Sequence, residues 1–152
     1  MSKPSKSPDN MLALDNQFCF ALYSASLAMT KTYKPLLHKI GLTYPQYLVM
    51  LVLWQEDKIL VKSIGEKLFL DSGTLTPLLK RLEASGFIDR ARDLEDERQV
   101  RITLTREGRA LKRRAQDVPQ QVLCASGQSE QAVASLRAQL SSIRDDLVRN
   151  NE

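Results

Sequence analysis

Residues 61–105 constrain the fold of this chain more than any other part: VKSIGEKLFLDSGTLTPLLKRLEASGFIDRARDLEDERQVRITLT. Ile64, Leu68 and Leu70 give a first helix an apolar side, with Gly65 tolerated inside it. Asp71-Ser72-Gly73 interrupts the run with turn chemistry. Leu75, Leu78, Leu79 and Leu82 then recur at three- and four-residue spacing, which marks one buried face of a second helix. Gly86, after Ser85, suits a left-handed C-cap. Phe87 and Ile88 have strand character, and Val100, Ile102 and Leu104 alternate with Arg101 and Thr103. Residues 93–97 form a polar tip between two strands. Helix, turn, helix and hairpin predict a mainly α fold with a small β-wing, a winged helix-turn-helix.

The second helix leaves Ser72, Thr74, Thr76, Lys80 and Arg81 on its other face. Hydroxyls and cations there can bond phosphates or base edges in a DNA major groove. Pro77 is expected in the first helical turn, where an N–H has no intrahelical partner anyway. Arg92 and Arg98, at the ends of the wing tip, can reach a neighbouring minor groove, whose negative potential attracts arginine. Charge alone argues weakly for this reading. Residues 72–101 carry six cations (Lys80, Arg81, Arg90, Arg92, Arg98, Arg101) against six anions (Glu83, Asp89, Asp93, Glu95, Asp96, Glu97), so affinity must rest on placement.

A length of 152 residues suits one domain with a real core. No apolar run approaches the roughly 20 residues of a membrane span, so no membrane partner is expected. Residues 1–10, MSKPSKSPDN, lack an apolar signal core and read as a mobile basic tail, which predicts a cytoplasmic chain.

Asp15 is a plausible N-cap for a long first helix, with Phe18, Leu22, Ala25 and Met29 as an apolar stripe continued by Leu36 and Leu37. Cys19 and Tyr23 share a face. Tyr33, fourteen residues after Cys19, returns to nearly that face but lies about 21 Å along the axis of one continuous helix. Two copies packed antiparallel across a two-fold axis would bring them together, a first hint of a dimer. Thr43, Pro45 and Gln46 open the next helix with a capping box. Tyr44 and Tyr47 suit core packing with a hydrogen bond at the ring tip. A short strand is expected over residues 59–61. After the wing, Thr105 caps a basic helix running through Leu111 and Val118, which Pro119 kinks or divides. A last amphipathic helix uses Val133, Leu136, Leu140, Ile143 and Leu147. The terminal helices are natural dimerisation material.

His38 is the only histidine, and there is neither a phosphate-cradling glycine loop nor a CxxC pair. No metal or cofactor is expected. Cys19 and Cys124 are far apart in sequence; two buried small hydrophobes is the bland reading, and cysteine redox is the one reactive chemistry left.

The segments DNQFCFALYSAS around Cys19, KTYKPLL, GLTYPQYLVMLVLW, DSGTLTPLLKRLEASG and DERQVRITLT resemble the MarR family of winged-helix dimeric repressors. Within it they resemble the two-cysteine class of organic hydroperoxide resistance regulators (OhrR). The resemblance implies a non-enzymatic repressor that binds palindromic operator DNA as a homodimer and releases it when an organic hydroperoxide oxidises Cys19. It further implies that Tyr23, Tyr33 and Tyr44 surround that sulfur, the last two from the partner subunit. Cys124 is then the resolving cysteine, pairing with Cys19 of the other subunit, and Arg98 is the minor-groove arginine positioned by Asp96. The implied layout is one domain over residues 11–152, with residues 43–105 reading DNA and residues 11–42 and 106–152 forming the dimer. A thiol peroxidase, a ligand-gated repressor of the same family and a winged-helix protein-interaction module are the competing readings.

Overall fold

The computed structural model describes residues 8–152. Most of the expected basic tail, residues 1–7, therefore lies outside the described residues. Its last part differs from expectation: Pro8–Met11 forms a short helix, α1. The Asn16 amide donates to the Asn10 carbonyl and side-chain oxygens at 2.7 and 2.8 Å, which ties that helix to the turn Leu14–Asn16.

Seven more helices and three strands follow. They are α2 Phe18–His38, α3 Tyr44–Gln55, β1 Ile59–Leu60, α4 Val61–Leu68, α5 Ser72–Ala84, β2 Ile88–Arg92, β3 Val100–Leu104, α6 Arg106–Ala115, α7 Val118–Ser126 and α8 Glu130–Asn150. The strands form one antiparallel sheet in the order β1-β3-β2, with Ile59 opposite Ile102 and Arg92 opposite Val100. The fold is the mainly helical winged helix-turn-helix expected from the leucine spacing and the hairpin pattern.

Local chemistry explains most of the boundaries. Thr43 caps α3 by accepting from the Gln46 N–H, and the Gln46 side-chain oxygen in turn accepts from the Thr43 N–H at 3.0 Å. Thr105 caps α6 by accepting from the Gly108 N–H at 3.0 Å. At the end of α5, Gly86 takes φ +83 while Phe87 and Gly86 donate to the Leu82 and Glu83 carbonyls. That is a left-handed helix stop, as its glycine predicted.

Three boundaries depart from expectation, and a fourth decides between two expected outcomes. Asp15 caps nothing long; it sits in the turn Leu14–Asn16, and α2 starts after Gln17. Leu70 lies beyond α4, which ends at Leu68 and is stopped by Phe69 in a left-handed conformation (φ 58). Asp71-Ser72-Gly73 is less a turn than a helix start, with Asp71 as N-cap and Ser72 already helical. Finally, α6 stops at Ala115 and α7 begins at Val118, so Pro119 divides the expected helix by occupying the first turn of a new one.

Gly65 is required rather than tolerated, because a Cβ there would lie 2.8 Å from the Leu70 carbonyl oxygen. Gly108 is tighter still, with 2.1 Å to the Phe87 oxygen, and this lets α6 lie on the base of the hairpin. Trp54 fixes the same corner by donating to the Gly108 carbonyl at 2.9 Å.

The core sits in the reading lobe. Val49, Met50, Leu53, Ile64, Leu75, Leu79, Leu82, Ile88 and Ile102 are its fully buried centre, and Leu37, Leu111, Val118 and Val122 extend it along α2, α6 and α7. By contrast, α2 buries only Leu37 along its length and α8 buries nothing.

Candidate functional site

Cys19 is the second residue of α2. The preceding Gln17 does not cap the helix with its side chain; that amide donates back to the Met11 and Ala13 carbonyls at 2.7 and 2.9 Å. Starting the helix at Phe18 moves Cys19 from the edge of the first turn, where a cap at Asp15 would put it, to well inside that turn. There the backbone N–H groups have no intrahelical partner and the helix dipole favours an anion. The Cys19 thiol is free and exposed, among exposed Phe18, Phe20 and Tyr23.

Tyr33 and Tyr44 are brought together at the opposite end of α2, with ring centroids 4.9 Å apart. Tyr47, expected only as core, is the third member, 5.7 Å from Tyr33 and 6.5 Å from Tyr44. The Tyr33 hydroxyl is pushed up from 10.0 to about 12, first by burial and then by the neighbouring Tyr47 and Tyr44. Burial also raises Tyr44, and burial followed by Tyr44 raises Tyr47. These hydroxyls therefore stay protonated and able to donate. Because α2 is one continuous helix, Cys19 and Tyr33 of a single chain are held about 21 Å apart along its axis.

Cys124 is also a free, exposed thiol, in the last turn of α7. Its nearest polar partner is the Gln120 amide nitrogen, 3.9 Å from the sulfur. Both cysteines are exposed, so neither is the buried hydrophobe of the bland reading. Helix α7 packs on α2, and Arg114 just before it donates to the Lys39 carbonyl at the end of α2 at 2.8 Å. The second cysteine thus rides on the helix that carries both Cys19 and Tyr33.

In the reading lobe, α5 buries Leu75, Leu78, Leu79 and Leu82 and exposes Ser72, Thr74, Pro77, Lys80 and Arg81. Asp71 accepts from the Thr74 N–H at 2.7 Å. That backbone hydrogen bond, with help from the Thr74 side chain, holds its carboxyl below the usual carboxylate range. Thr76 is half-buried, and its hydroxyl donates to the Ser72 carbonyl at 2.7 Å. Pro77 is the sixth residue of the helix rather than a first-turn residue, so α5 lacks the bond its N–H would have made to the Gly73 carbonyl. That carbonyl belongs to an exposed residue, where water can satisfy it.

On the wing, the Arg98 side chain is 91% exposed. Its Nε donates to Asp96 Oδ1 at 3.2 Å, and its backbone N–H reaches the same oxygen at 3.1 Å. Asp96 thus points the arginine outward without covering it. Arg92 is exposed and donates to the Glu97 carbonyl at 2.9 Å, bridging the tip. Ser72, Thr76 and Arg98 line one cleft of about 860 Å³ between α4, α5 and the wing, with Val148 of α8 also in its wall, so that helix and wing share a single surface. Sequence reasoning missed two features here. Asp93, assigned to the polar tip, is only 9% exposed, and Arg101 binds it. A charged residue alternating with Val100 and Ile102 was the available signal. Among the described residues, no three histidine, cysteine or acidic side chains gather as a metal site, and no helix is long and apolar enough to cross a membrane.

A helix with polar and cationic side chains outward, flanked by a hairpin presenting an arginine, defines a winged-helix DNA-binding regulator. Residues 31–115 match the transcriptional regulator SarA/Rot family. The organic hydroperoxide resistance transcriptional regulator of Bacillus subtilis (strain 168) is 49% identical over 140 residues, spanning 92% of this chain and 95% of that protein. Reduced AbfR bound to DNA superposes with a TM-score of 0.74 at 36% identity, over 93% of this chain and 99% of that one. The disulfide form of AbfR, a protein of Staphylococcus epidermidis, superposes with a TM-score of 0.61 at 38% identity, over 89% and 95%. The chain belongs to the MarR family of winged-helix transcriptional regulators, as its motifs implied.

Proposed function

We propose that this regulator is a homodimeric repressor switched by organic hydroperoxide at Cys19. One observation carries the reading. Helix α2 presents an exposed thiol in an aromatic setting at one end and a cluster of protonated tyrosines at the other, too far apart to meet within a chain. Two chains with antiparallel α2 helices would place each Cys19 against Tyr33 and Tyr44 of the partner, where the phenol hydroxyls donate to the thiolate. The exposed apolar faces of α2 and α8 supply such a contact. The relatives support the chemistry: one is named for hydroperoxide resistance, and another was solved both reduced on DNA and as a disulfide.

The thiolate attacks the distal peroxide oxygen, which breaks the O–O bond. Cys19 becomes a sulfenic acid and the alkoxide leaves as an alcohol after protonation. The Cys124 thiol of the partner then attacks that sulfur, forming the disulfide and releasing water. A disulfide needs Cα atoms roughly 4.4–6.8 Å apart; if the reduced dimer holds the two cysteines farther apart than this, closing it moves α7 and the α2 helix on which it packs. The reading helices then leave the spacing of about 34 Å that successive major grooves require. The operator DNA, contacted by Ser72, Thr74, Thr76, Pro77, Lys80 and Arg81 on α5 and by Arg92 and Arg98 on the wing, is released.

The test pairs non-reducing electrophoresis with an operator titration, before and after one equivalent of cumene hydroperoxide. A covalent dimer forming as affinity falls, both reversed by dithiothreitol, is the expected result. Cys19→Ser should bind operator normally and ignore the peroxide. Operator binding by the wild type that is indifferent to peroxide defeats the sensor, and sustained peroxide turnover with a thiol reductant would mark a peroxidase.

A further inference from the structure

One side chain ties the wing to the rest of the reading lobe. Arg101 lies half-buried in β3. Its Nε donates to Asp93 Oδ1 at 3.1 Å, and Nη2 lies 3.1 Å from the same oxygen. Its Nη1 donates to the Lys58 carbonyl. One guanidinium therefore joins β3, the first residue of the wing tip and the turn ahead of β1. That turn is itself held in shape. Lys58 is left-handed (φ 59), a conformation few non-glycine residues adopt. Asp57 Oδ1 accepts from the Lys58 N–H at 2.7 Å and from the Leu104 N–H at 2.9 Å.

The turn continues directly from α3. At 12 residues, α3 is a rod of about 18 Å, with Tyr44 at its start and Arg101's partner three residues past its end. Asp93 is nearly buried, so its charge is directed at Arg101, whose side chain stays partly open to solvent on its other side.

We propose that Arg101 is a positioning residue for DNA reading: bonded to Asp93 and to the Lys58 carbonyl, it clamps the wing tip that carries Arg98 to the turn that follows α3. The wing then follows the helix that begins at the tyrosine cluster. This rests on the reading of Arg98 as the wing's DNA contact.

The clamp and a direct phosphate contact by Arg101 predict opposite signs for Asp93→Asn. Removing an acid near DNA raises affinity on charge alone, and it frees Arg101 for phosphate. If Arg101 is a clamp, the same change loosens the wing and weakens binding. Operator titrations at matched salt should show Arg98→Ala weaker by about tenfold. Asp93→Asn and Arg101→Met should each be weaker by about fivefold, and neither should add further loss in the Arg98→Ala background. Unchanged or tighter binding by Asp93→Asn, or losses that multiply fully with Arg98→Ala, overturns the clamp. Amide hydrogen exchange on the DNA-free protein tests the clamp separately. Residues 93–99 should exchange faster in Asp93→Asn while β1 and α5 keep their protection. Wild-type exchange at the tip overturns the clamp whatever Arg98 does, whereas an Arg98→Ala variant with full affinity overturns only the DNA contact.

Discussion

Helices α5 and α8 are both amphipathic, yet the chain completes one and leaves the other bare. In α5, thirteen residues bury four leucines against α3, α4 and the wing base. In α8, twenty-one residues bury none, and Leu136, Leu140 and Leu147 remain 53%, 36% and 51% exposed. Periodicity alone does not separate the two, since both have a stripe at three- and four-residue spacing. What differs is whether the stripe finds cover within the single chain. The reading lobe is a finished core, and α8 is left an unfinished half, reaching the lobe through Arg144, 4.4 Å over the Phe69 ring, with its apolar stripe exposed. An apolar face this continuous on an otherwise well-packed chain marks an interaction surface.

The largest expected effect tests the finished half. Leu79→Ala should lower the unfolding free energy by about 2–5 kcal/mol, because it opens a cavity beside Leu75 and Ile64. Denaturant titration by circular dichroism measures it, and a loss under 0.5 kcal/mol would mean the lobe is not the stable core described. The unfinished half should respond in a different observable. Leu140→Asp should weaken the dimer by about 1–3 kcal/mol, read by sedimentation as a shift to monomer at low micromolar protein. The lobe's hydrogen-exchange protection should stay intact. If exchange rises throughout α5 instead, α8 belongs to the monomer's core. The smallest effect sits between the halves, at the tyrosines. Tyr33 ionises near 12 in the folded chain and near 10.0 unfolded, so the unfolded state loses its proton first. The stability tied to that neutral hydroxyl is complete below pH 10 and is lost as pH rises through 12. Spectrophotometric titration near 295 nm should show the Tyr33 step above 10, and its absence in Tyr33→Phe identifies it.

What could be read from the sequence follows the range of the forces involved. The α5 leucines, the capping box at Thr43, the cap at Thr105 and the left-handed Gly86 are local signals, and all four hold. The start of α2 was not legible, because Asp15 is a good capping residue that a competing turn, Leu14–Asn16, takes up. Pro77 was misplaced for the same reason, since assigning Asp71-Ser72-Gly73 to a turn pushed the helix start too late. The pairing of Tyr33 with Tyr44 follows from the resemblance, but the part Tyr47 plays in raising Tyr33 needs the crossing of α2 and α3. Asp93 looked like one more acid in a charged tip, and only the fold shows it turned inward to Arg101.

The charge cancellation between residues 72 and 101 has a consequence for how the regulator finds its operator. Glu83 pairs with Arg90, Asp93 with Arg101 and Asp96 with Arg98, so half of the region's six cations carry a counter-charge within 3.3 Å. Generic DNA affinity comes almost wholly from unpaired cations displacing counterions, and a genome offers about a million or more competing generic sites. A reader neutralised in this way wastes few molecules on those sites. Its discrimination improves less by gripping the operator harder than by gripping everything else weakly.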